Sequence, residues 1–268
     1  MVDLTVLCPA IRTDRWLGLY ESIRKSYSGT WELILITEME VPQEVKEKEN
    51  VRIIYSQRAP LQKQQEGLCQ AEGEWILNIS DDQLYIEGAL DKAFKHIDNY
   101  KTIVVMKYLE GPEFEYPEWH QKQRPFKTNY DFMRSEQYYL CGTHQSSKYK
   151  YVPPSAPILS CCLISRQVLG EIGGWDCAFQ TQAIGNIDLS VRLMKYGCKY
   201  VINYDVVETC GHMPGIEGDH SALHYAQINH DEPLLKEMYD SEECTRDIYI
   251  PINNWKQTDD VWEKRTSE

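Results

Sequence analysis

Short runs of apolar residues alternate with segments of helical periodicity along the first 106 residues. Runs that are apolar throughout are typical of strands buried on both faces of a parallel sheet. The sequence predicts such strands at Leu4–Cys8, Trp31–Thr37, Val51–Tyr55, Trp75–Ile79 and Thr102–Met106. Their alternation with helices predicts an α/β fold, with a mainly parallel central sheet, helices on both faces and right-handed crossovers.

Helices are predicted between these strands from the spacing of their apolar residues. Asp14 is placed to cap the first helix, and Leu61–Gln70 forms the second. The core-facing residues share helical spacing: Trp16, Tyr20 and Ile23 in the first helix, and Leu90, Phe94 and Ile97 in a third. The third stripe is therefore predicted to be core and not a binding site.

The second half of the chain continues the same pattern. Strands are predicted at Ile158–Ile164 and Lys199–Tyr204. Between them, one short helix ends at Gly173-Gly174, and another is predicted to begin with Asn186 as N-cap and to end at Gly197. An amphipathic helix and an acidic polar tail follow from Asp231, and the tail suggests no function.

Residues 107–154 interrupt the pattern with an aromatic, proline-rich stretch that contains no repeat. A connection of this length is usually functional or disordered, and the aromatic content disfavours disorder. Its Trp and Tyr side chains are equally suited to stacking on sugar rings and to closing a hydrophobic core.

Composition narrows the function classes. The 268 residues are 42% apolar and carry a formal net charge of −13, which indicates a globular protein and argues against a nucleic-acid partner. No membrane-spanning run is present, and the N-terminus lacks the pattern of a secretory signal. Nine cysteines without a Cys-x-x-Cys pair are interpreted as reduced core residues, including the adjacent Cys161 and Cys162. A cytoplasmic location is expected.

The candidate chemistry centres on Ser80-Asp81-Asp82, directly after the strand Trp75–Ile79. Ligands bind at the carboxyl ends of strands in open α/β sheets, and adjacent carboxylates there suit a divalent cation that holds a diphosphate. The alternative is an acidic turn in which Asp82 caps a helix beginning at Gln83.

A glycine-rich segment late in the chain carries further candidate groups. Glu208, His212 and His220 lie in or beside it, and its composition is typical of a lid. A single histidine in such a segment is usually an ordinary surface or core residue.

Four segments together resemble the family 2 glycosyltransferases, which have the GT-A fold. They are Val6–Arg12, Lys63–Gly67 followed by Ala71–Leu77, Ser80–Asp82, and the set Ser160–Arg166, Ile172–Asp176 and Asp188–Leu193. The resemblance covers about Leu4 to His212, with the aromatic stretch as an unmatched insert. It implies a single domain over residues 1–230, with a nucleotide-binding half at 1–106, the insert at 107–154 and an acceptor-side half at 155–230, followed by a C-terminal helix and tail at 231–268.

The resemblance also implies site residues. Asp82 and His212 would hold Mn or Mg at the donor's diphosphate, and Asp81 would hold the ribose or the same metal. The residues that it places at the nucleoside-diphosphate sugar are Pro9, Arg12, Thr37, Arg58, Gln65 and Asp81.

One departure from the family affects the reaction itself. Family members commonly carry Glu-Asp, with the Asp as catalytic base, where this chain has Gly185 and Asn186. An amide cannot accept a proton from a hydroxyl, so Asp188 is the expected base. Glu208 and Asp176 are alternatives, as is a protein with little activity. Asp188 could also serve only the helix dipole.

The function expected from the resemblance is that of a metal-dependent, inverting hexosyl- or pentosyltransferase of glycan biosynthesis. It would move a sugar from a nucleoside-diphosphate sugar to a hydroxyl of a glycan or other acceptor. A non-catalytic nucleotide-sugar-binding or glycan-binding domain is an alternative. A sugar nucleotidyltransferase is a weaker one, because Pro9-Ala10-Ile11-Arg12 lacks glycine. Peripheral contact with a membrane carrying a lipid-linked acceptor stays open.

Overall fold

The computed structural model describes residues 2–110, 159, 161–210, 221–240, 246–258 and 262, with the backbone alone for 107–110, 202–210 and 221. Most of the aromatic insert therefore lies outside the described residues, as do His212 and His220. The expectations stated for them stay predictions.

The described strands are β1 (Leu4–Pro9), β2 (Trp31–Thr37), β3 (Val51–Tyr55), β4 (Trp75–Asn78), β5 (Gln83–Tyr85), β6 (Thr102–Glu110), β7 (Cys162–Ser165) and β8 (Lys199–Cys210). The described helices are α1 (Trp16–Ser26), α2 (Gln43–Lys46), α3 (Pro60–Leu68), α4 (Ala89–Phe94), α5 (Arg166–Ile172), α6 (Gln182–Lys195), α7 (Ser221–Ala226) and α8 (Glu232–Asp240), with a π-helical turn at Gln227–Asp231 and a 3₁₀ turn at Asn254–Gln257.

The strands form one mixed sheet in the order β3-β2-β1-β4-β7-β6-β8-β5. The first four of these strands are parallel to one another, whereas β7 is antiparallel to both β4 and β6. Because β1 to β4 run in the same direction, the loops that follow them meet at one edge of the sheet. We call this the carboxyl edge.

Each face of the sheet is covered by its own hydrophobic core. Helices α1, α2 and α4 pack on one face, and α3, α5, α6 and α8 pack on the other. Successive apolar residues of β1 and β2 alternate between the two cores, which explains why apolar residues predominate on both faces of these strands. The predicted α/β fold with helices on both faces is confirmed. None of the described helices has the length and apolar character needed to span a membrane.

Two predicted helix caps are corrected by the structure. Helix α1 has Arg15 at its N-cap position, not Asp14. Helix α6 begins at Gln182 after Thr181, so Asn186 lies inside the helix and Asp188 lies beyond its first turn. Thr181 donates to the Asp231 carboxylate through its backbone N–H at 2.7 Å and its hydroxyl at 2.6 Å. A contact across 50 residues therefore holds the start of α6.

The segment after Asp82 is a strand and not the helix that the alternative interpretation required. Gln83–Tyr85 forms the short strand β5, which pairs antiparallel with the end of β8. Asp82 is therefore not the cap of a helix. The acidic pair instead lies between the central strand β4 and an edge strand of the same sheet.

Candidate functional site

The carboxyl edge collects polar side chains from three loops and two helices. Arg12 follows β1, Glu38 follows β2, and Asp81 and Asp82 follow β4. Helices α3 and α6 also begin at this edge, since each leads back to the start of a strand that runs parallel to β1. The sheet topology thus brings together residues that are far apart in sequence.

Asp81 holds the loop after β1 in place. Its carboxylate accepts hydrogen bonds from the backbone N–H groups of Ile11 at 2.6 Å and Arg12 at 2.5 Å. The indole N–H of Trp16 donates to the same carboxylate at 3.1 Å, and Arg12 Nη1 lies 2.5 Å from its other oxygen. With 2% of its surface exposed, Asp81 is a positioning residue for the loop that precedes α1.

Asp82 and Arg12 form the charged part of the edge. Asp82 is largely buried and accepts a hydrogen bond from the Ser80 hydroxyl. Arg12 Nη1 lies 4.0 Å from Asp82 Oδ2 while it contacts Asp81. Two carboxylates beside one guanidinium carry a net negative charge, which suits a divalent cation, and the guanidinium has planar N–H donors of the kind that bind phosphate groups.

Two other residues assigned to the nucleotide, Thr37 and Gln65, have internal partners. Thr37 is buried, and its hydroxyl accepts from the Met39 N–H at 2.9 Å. Gln65 is fully buried and bridges two backbone segments: it accepts from Trp175 N–H at 2.8 Å and donates to the Ile252 carbonyl at 2.7 Å. Pro9 is the last residue of β1 at the carboxyl edge.

Arg58 binds the C-terminal segment. Its Nη1 donates to the backbone carbonyls of Trp255 at 2.9 Å and Thr258 at 2.8 Å, and its guanidinium lies 5.0 Å from the centroid of the Trp255 ring. These contacts account for the position of Arg58 without a nucleotide. Its expected contact with the nucleotide stays a prediction.

The sequence argument missed a buried ion pair at this edge. Lys63 on α3 is 3% exposed, and its ammonium group pairs with the Glu38 carboxylate. Lys63 belongs to a run of four consecutive buried polar residues, Gln62 to Gln65. No sequence signal identified this run as buried, because consecutive polar residues on a helix usually face solvent.

Asp188 lies in a buried charge cluster and not at an open site. Its carboxylate accepts from Arg192 Nε at 2.8 Å, Arg246 Nε at 2.7 Å and the Tyr239 hydroxyl at 2.8 Å. Burial alone would raise the pKa of Asp188, but the two guanidinium groups outweigh it and lower the pKa to about 2. A fully buried carboxylate with this pKa is a poor proton acceptor at neutral pH, so its geometry does not support the expected role as base.

The positions of the family's Glu-Asp pair have structural roles in this chain. A Cβ on Gly185 would lie 2.2 Å from Leu61 Cδ2, so a side chain there would require the buried Leu61 side chain on α3 to move. Asn186 is buried, and its Oδ1 accepts from the Trp175 indole N–H at 2.9 Å. The amide thus serves packing of the loop before α6.

The structure describes the two alternative bases, Asp176 and Glu208, to different extents. Asp176 keeps 13% of its side chain exposed, but it pairs with Arg246 and accepts from Ala178 N–H at 2.9 Å. Glu208 lies in β8 with its backbone alone described.

The loop that carries Asp176 is held by the C-terminal segment. Asn254 accepts from the Cys177 N–H at 2.7 Å and donates to the carbonyls of Trp175 at 3.1 Å and Pro251 at 2.8 Å. This side chain therefore fixes the loop between α5 and α6 from outside the α/β core.

A metal at Asp82 is compatible with the described residues. They contain no group of three or more His, Cys, Asp or Glu side chains that could hold an ion. Mg²⁺ sites for nucleotides commonly use one or two carboxylates, with substrate phosphates and waters as the remaining ligands. Asp82, with Arg12 beside it, fits that donor set, and the expected role of His212 stays a prediction.

Comparison with known proteins identifies the fold that carries this site. No family model and no curated protein sequence matches the chain. Among solved structures, it is similar to S. aureus TarS 1-349, with a TM-score of 0.53 and 13% identity over 90% of this chain and 67% of that one. The fold is that of the GT-A glycosyltransferases. The resemblance found in the sequence is thus confirmed at the level of the fold.

Two ligand complexes share this GT-A fold. TarS 1-349 in complex with UDP matches with a TM-score of 0.53 and 13% identity, over 90% of this chain and 68% of TarS. The mannosyltransferase PcManGT from Pyrobaculum calidifontis, in complex with GDP-Man and Mn²⁺, matches with a TM-score of 0.54 and 14% identity, over 85% of this chain and 62% of that enzyme. At these identities the likeness establishes the fold and leaves the activity to the site.

Proposed function

We propose that this protein is a glycosyltransferase that moves a sugar from a nucleoside-diphosphate sugar to a hydroxyl acceptor at the carboxyl edge. The observation that carries the proposal is the placement of Arg12 beside Asp81 and Asp82, where the parallel strands of a GT-A fold end. Neighbours of the same fold have UDP or GDP-Man bound, which supports a donor of this class.

In the proposed reaction, each residue at the edge has a separate role. Asp81 fixes the loop that presents the Arg12 backbone, and the Arg12 guanidinium faces the charge of the donor diphosphate. Asp82 is proposed to bind Mn²⁺ or Mg²⁺, which would neutralise the charge that develops on the leaving diphosphate.

The acceptor hydroxyl must lose a proton in an inverting transfer. Asp188 is proposed to stabilise the fold, because its carboxylate is occupied by two arginines and a tyrosine. Of the two described carboxylate side chains considered as bases, Asp176 alone keeps partial exposure. We therefore propose Asp176 as the stronger of these two candidates, although it also pairs with Arg246 of the Asp188 cluster.

The setting of the reaction is proposed from composition. The described cysteines are free, and four of them, Cys8, Cys161, Cys162 and Cys177, are buried. Free, buried thiols support a reducing, cytoplasmic environment. The net charge of −13 supports a glycan or other uncharged acceptor more than a nucleic acid.

Release of nucleoside diphosphate tests the proposal. The purified protein is incubated with UDP- and GDP-sugars and Mn²⁺, with and without EDTA, and free UDP or GDP is measured. We expect slow, EDTA-sensitive hydrolysis of one class of donor, and loss of this activity in Asp82→Ala. Full activity of the Asp82→Ala variant would remove Asp82 from the site.

A second candidate function is binding of the nucleotide sugar without transfer. It is favoured by Gly185 and Asn186, which replace the acidic pair of active relatives and serve packing here. A binding protein would be stabilised by a nucleotide sugar in thermal unfolding but would release no nucleoside diphosphate from any donor.

A further inference from the structure

An imidazole and a buried carboxylate are paired beside the start of α6, and the proposed reaction uses neither of them. His230 Nδ1 lies 2.8 Å from Asp231 Oδ1. The Asp231 side chain is fully buried, whereas 36% of the His230 side chain is exposed. We call these two residues the His–Asp pair. They are the last two residues of the π-helical turn Gln227–Asp231.

The His–Asp pair forms where the backbone departs from a regular helix. Consecutive residues of a regular α-helix do not face each other, yet these two side chains are in hydrogen-bond contact within the π-helical turn that joins α7 to α8. Such turns are rare, and they are frequently found at functional sites. The local structure therefore indicates that the contact between His230 and Asp231 serves a specific purpose.

The Asp231 carboxylate is held by the backbone before α6, and it fixes the imidazole in turn. Besides the two hydrogen bonds from Thr181, Asp231 Oδ1 accepts from the Gln180 N–H at 3.0 Å. Because a carboxylate only accepts hydrogen bonds, His230 Nδ1 carries the hydrogen of their contact, and the neutral ring has its acceptor at Nε2. Within the part of the chain that the structure describes, Nε2 has no hydrogen-bond partner.

The sheet topology places the His–Asp pair at the carboxyl edge. Helix α6 begins at this edge, and Asp231 binds the residues at its start. The strand that precedes the pair in the chain, β8, runs parallel to β4 and ends at the same edge. Its last residue, Cys210, lies opposite Gln83, which directly follows Asp82. A partly exposed imidazole at this edge lies where ligands of open α/β sheets bind.

We propose that His230 is the general base of the transfer and that Asp231 positions it. This inference rests on the proposed function, and it replaces the carboxylate candidates, Asp176 and Asp188, both of which pair with Arg246. His230 Nε2 takes the proton of the acceptor hydroxyl, and the hydroxyl oxygen forms a bond to the anomeric carbon of the donor sugar. The bond from that carbon to the diphosphate breaks, and its electron pair leaves with the nucleoside diphosphate. Asp231 stabilises the imidazolium that forms.

The test uses His230→Asn, which separates the two nitrogen atoms of the ring. An asparagine side chain keeps an N–H donor at the place of Nδ1, so the contact with Asp231 is retained, and it removes the acceptor at Nε2. His96→Asn is the matched control. His96 is exposed and lies between α4 and the start of β6, at the opposite edge of the sheet.

Turnover and binding are measured separately. Release of UDP or GDP is followed with Mn²⁺ and UDP-glucose, UDP-N-acetylglucosamine or GDP-mannose, with water in place of the acceptor, and calorimetry gives the affinity for each donor. We expect His230→Asn to lower the rate of release about 100- to 10,000-fold and to leave donor affinity and the melting temperature unchanged. His96→Asn should match the wild type in all three measurements.

The two proposals fail in different ways. Wild-type release by His230→Asn overturns the role of His230 alone, and Asp176→Asn, measured in parallel, then shows whether the carboxylate is the base. A lower melting temperature with weaker donor binding assigns the His–Asp pair to the fold and also overturns the inference. No release by the wild type from any donor overturns the proposed function and this inference with it. If His230→Asn does not fold, His230→Gln should show the same selective loss of turnover, and its absence overturns the proposal.

Discussion

Substitution of Asp188 by asparagine separates a structural role from a catalytic one. The change removes the charge between Arg192, which is fully buried, and Arg246. The folded-state pKa of about 2, against 3.8 for a free side chain, corresponds to roughly 2–3 kcal/mol of stability at neutral pH. Arg192 would also stay buried without its counterion, and removal of one partner from a buried pair typically costs about 3–5 kcal/mol. We therefore expect Asp188→Asn to lower the free energy of unfolding by about 3–5 kcal/mol.

Urea denaturation followed by circular dichroism measures this loss as a lower midpoint. Asp98→Asn is the control, because Asp98 forms an exposed pair with Lys199, and its loss should cost at most about 1 kcal/mol. The reasoning is refuted if Asp188→Asn unfolds within about 1 kcal/mol of the wild type, the size of an exposed pair. If turnover nevertheless fell by orders of magnitude in that stable variant, Asp188 would be restored as the base.

Three further predictions follow from the same packing. The folded-state pKa of Asp188 is depressed to about 2, so the stability that its ionised carboxylate contributes is present above the unfolded pKa and is lost as the pH falls toward the folded value. Below about pH 4, the free energy of unfolding of the wild type should therefore fall more steeply with pH than that of Asp188→Asn. Equal pH dependence of the two proteins would contradict this prediction. Gly185→Ala should destabilise the protein by about 1–3 kcal/mol, because the new methyl group contacts Leu61. Gly170→Ala, where a Cβ meets nothing within 4 Å, should stabilise the helix by about 0.5–1 kcal/mol. A more stable Gly185→Ala than Gly170→Ala in chemical denaturation would contradict the packing of α6 on α3. Asn254→Ala should speed amide hydrogen exchange in the loop before α6, because this side chain makes three hydrogen bonds to backbone atoms; unchanged exchange would show that the loop is held by other contacts.

Strands whose environment is uniform along their length were predictable from the sequence. The residues of β2 agree with the run chosen from apolar pattern alone, because this strand lies inside the sheet and is buried on both faces. The bounds of β3, an edge strand with partial exposure, agree as well. The strand β5 was not predictable, since three residues carry little periodicity and their conformation depends on pairing with β8. The start of α6 was misplaced for a similar reason, because its N-terminal contact comes from Asp231.

The site was predictable in position but not in detail. The acidic pair after a buried strand located the carboxyl edge, because strand ends fix where loops meet. The environment of Asp188 could not be predicted, since Arg246 lies 58 positions away in sequence and local sequence alone suits either a base or a buried ion cluster. Gln65 and Arg58 likewise bind backbone atoms of the C-terminal segment, for which the sequence offers no signal.

Asp82 and Arg12 are proposed to form the diphosphate site of a nucleotide-sugar enzyme. The most direct test is isothermal titration of the wild type, Asp82→Asn and the control Asp98→Asn with UDP and GDP, each with and without Mn²⁺. We expect the wild type and Asp98→Asn to bind one of the two nucleotides more tightly with Mn²⁺, and Asp82→Asn to lose this enhancement. Equal binding in all three proteins, or no binding by the wild type, would show that Asp82 does not hold a metal at a diphosphate site.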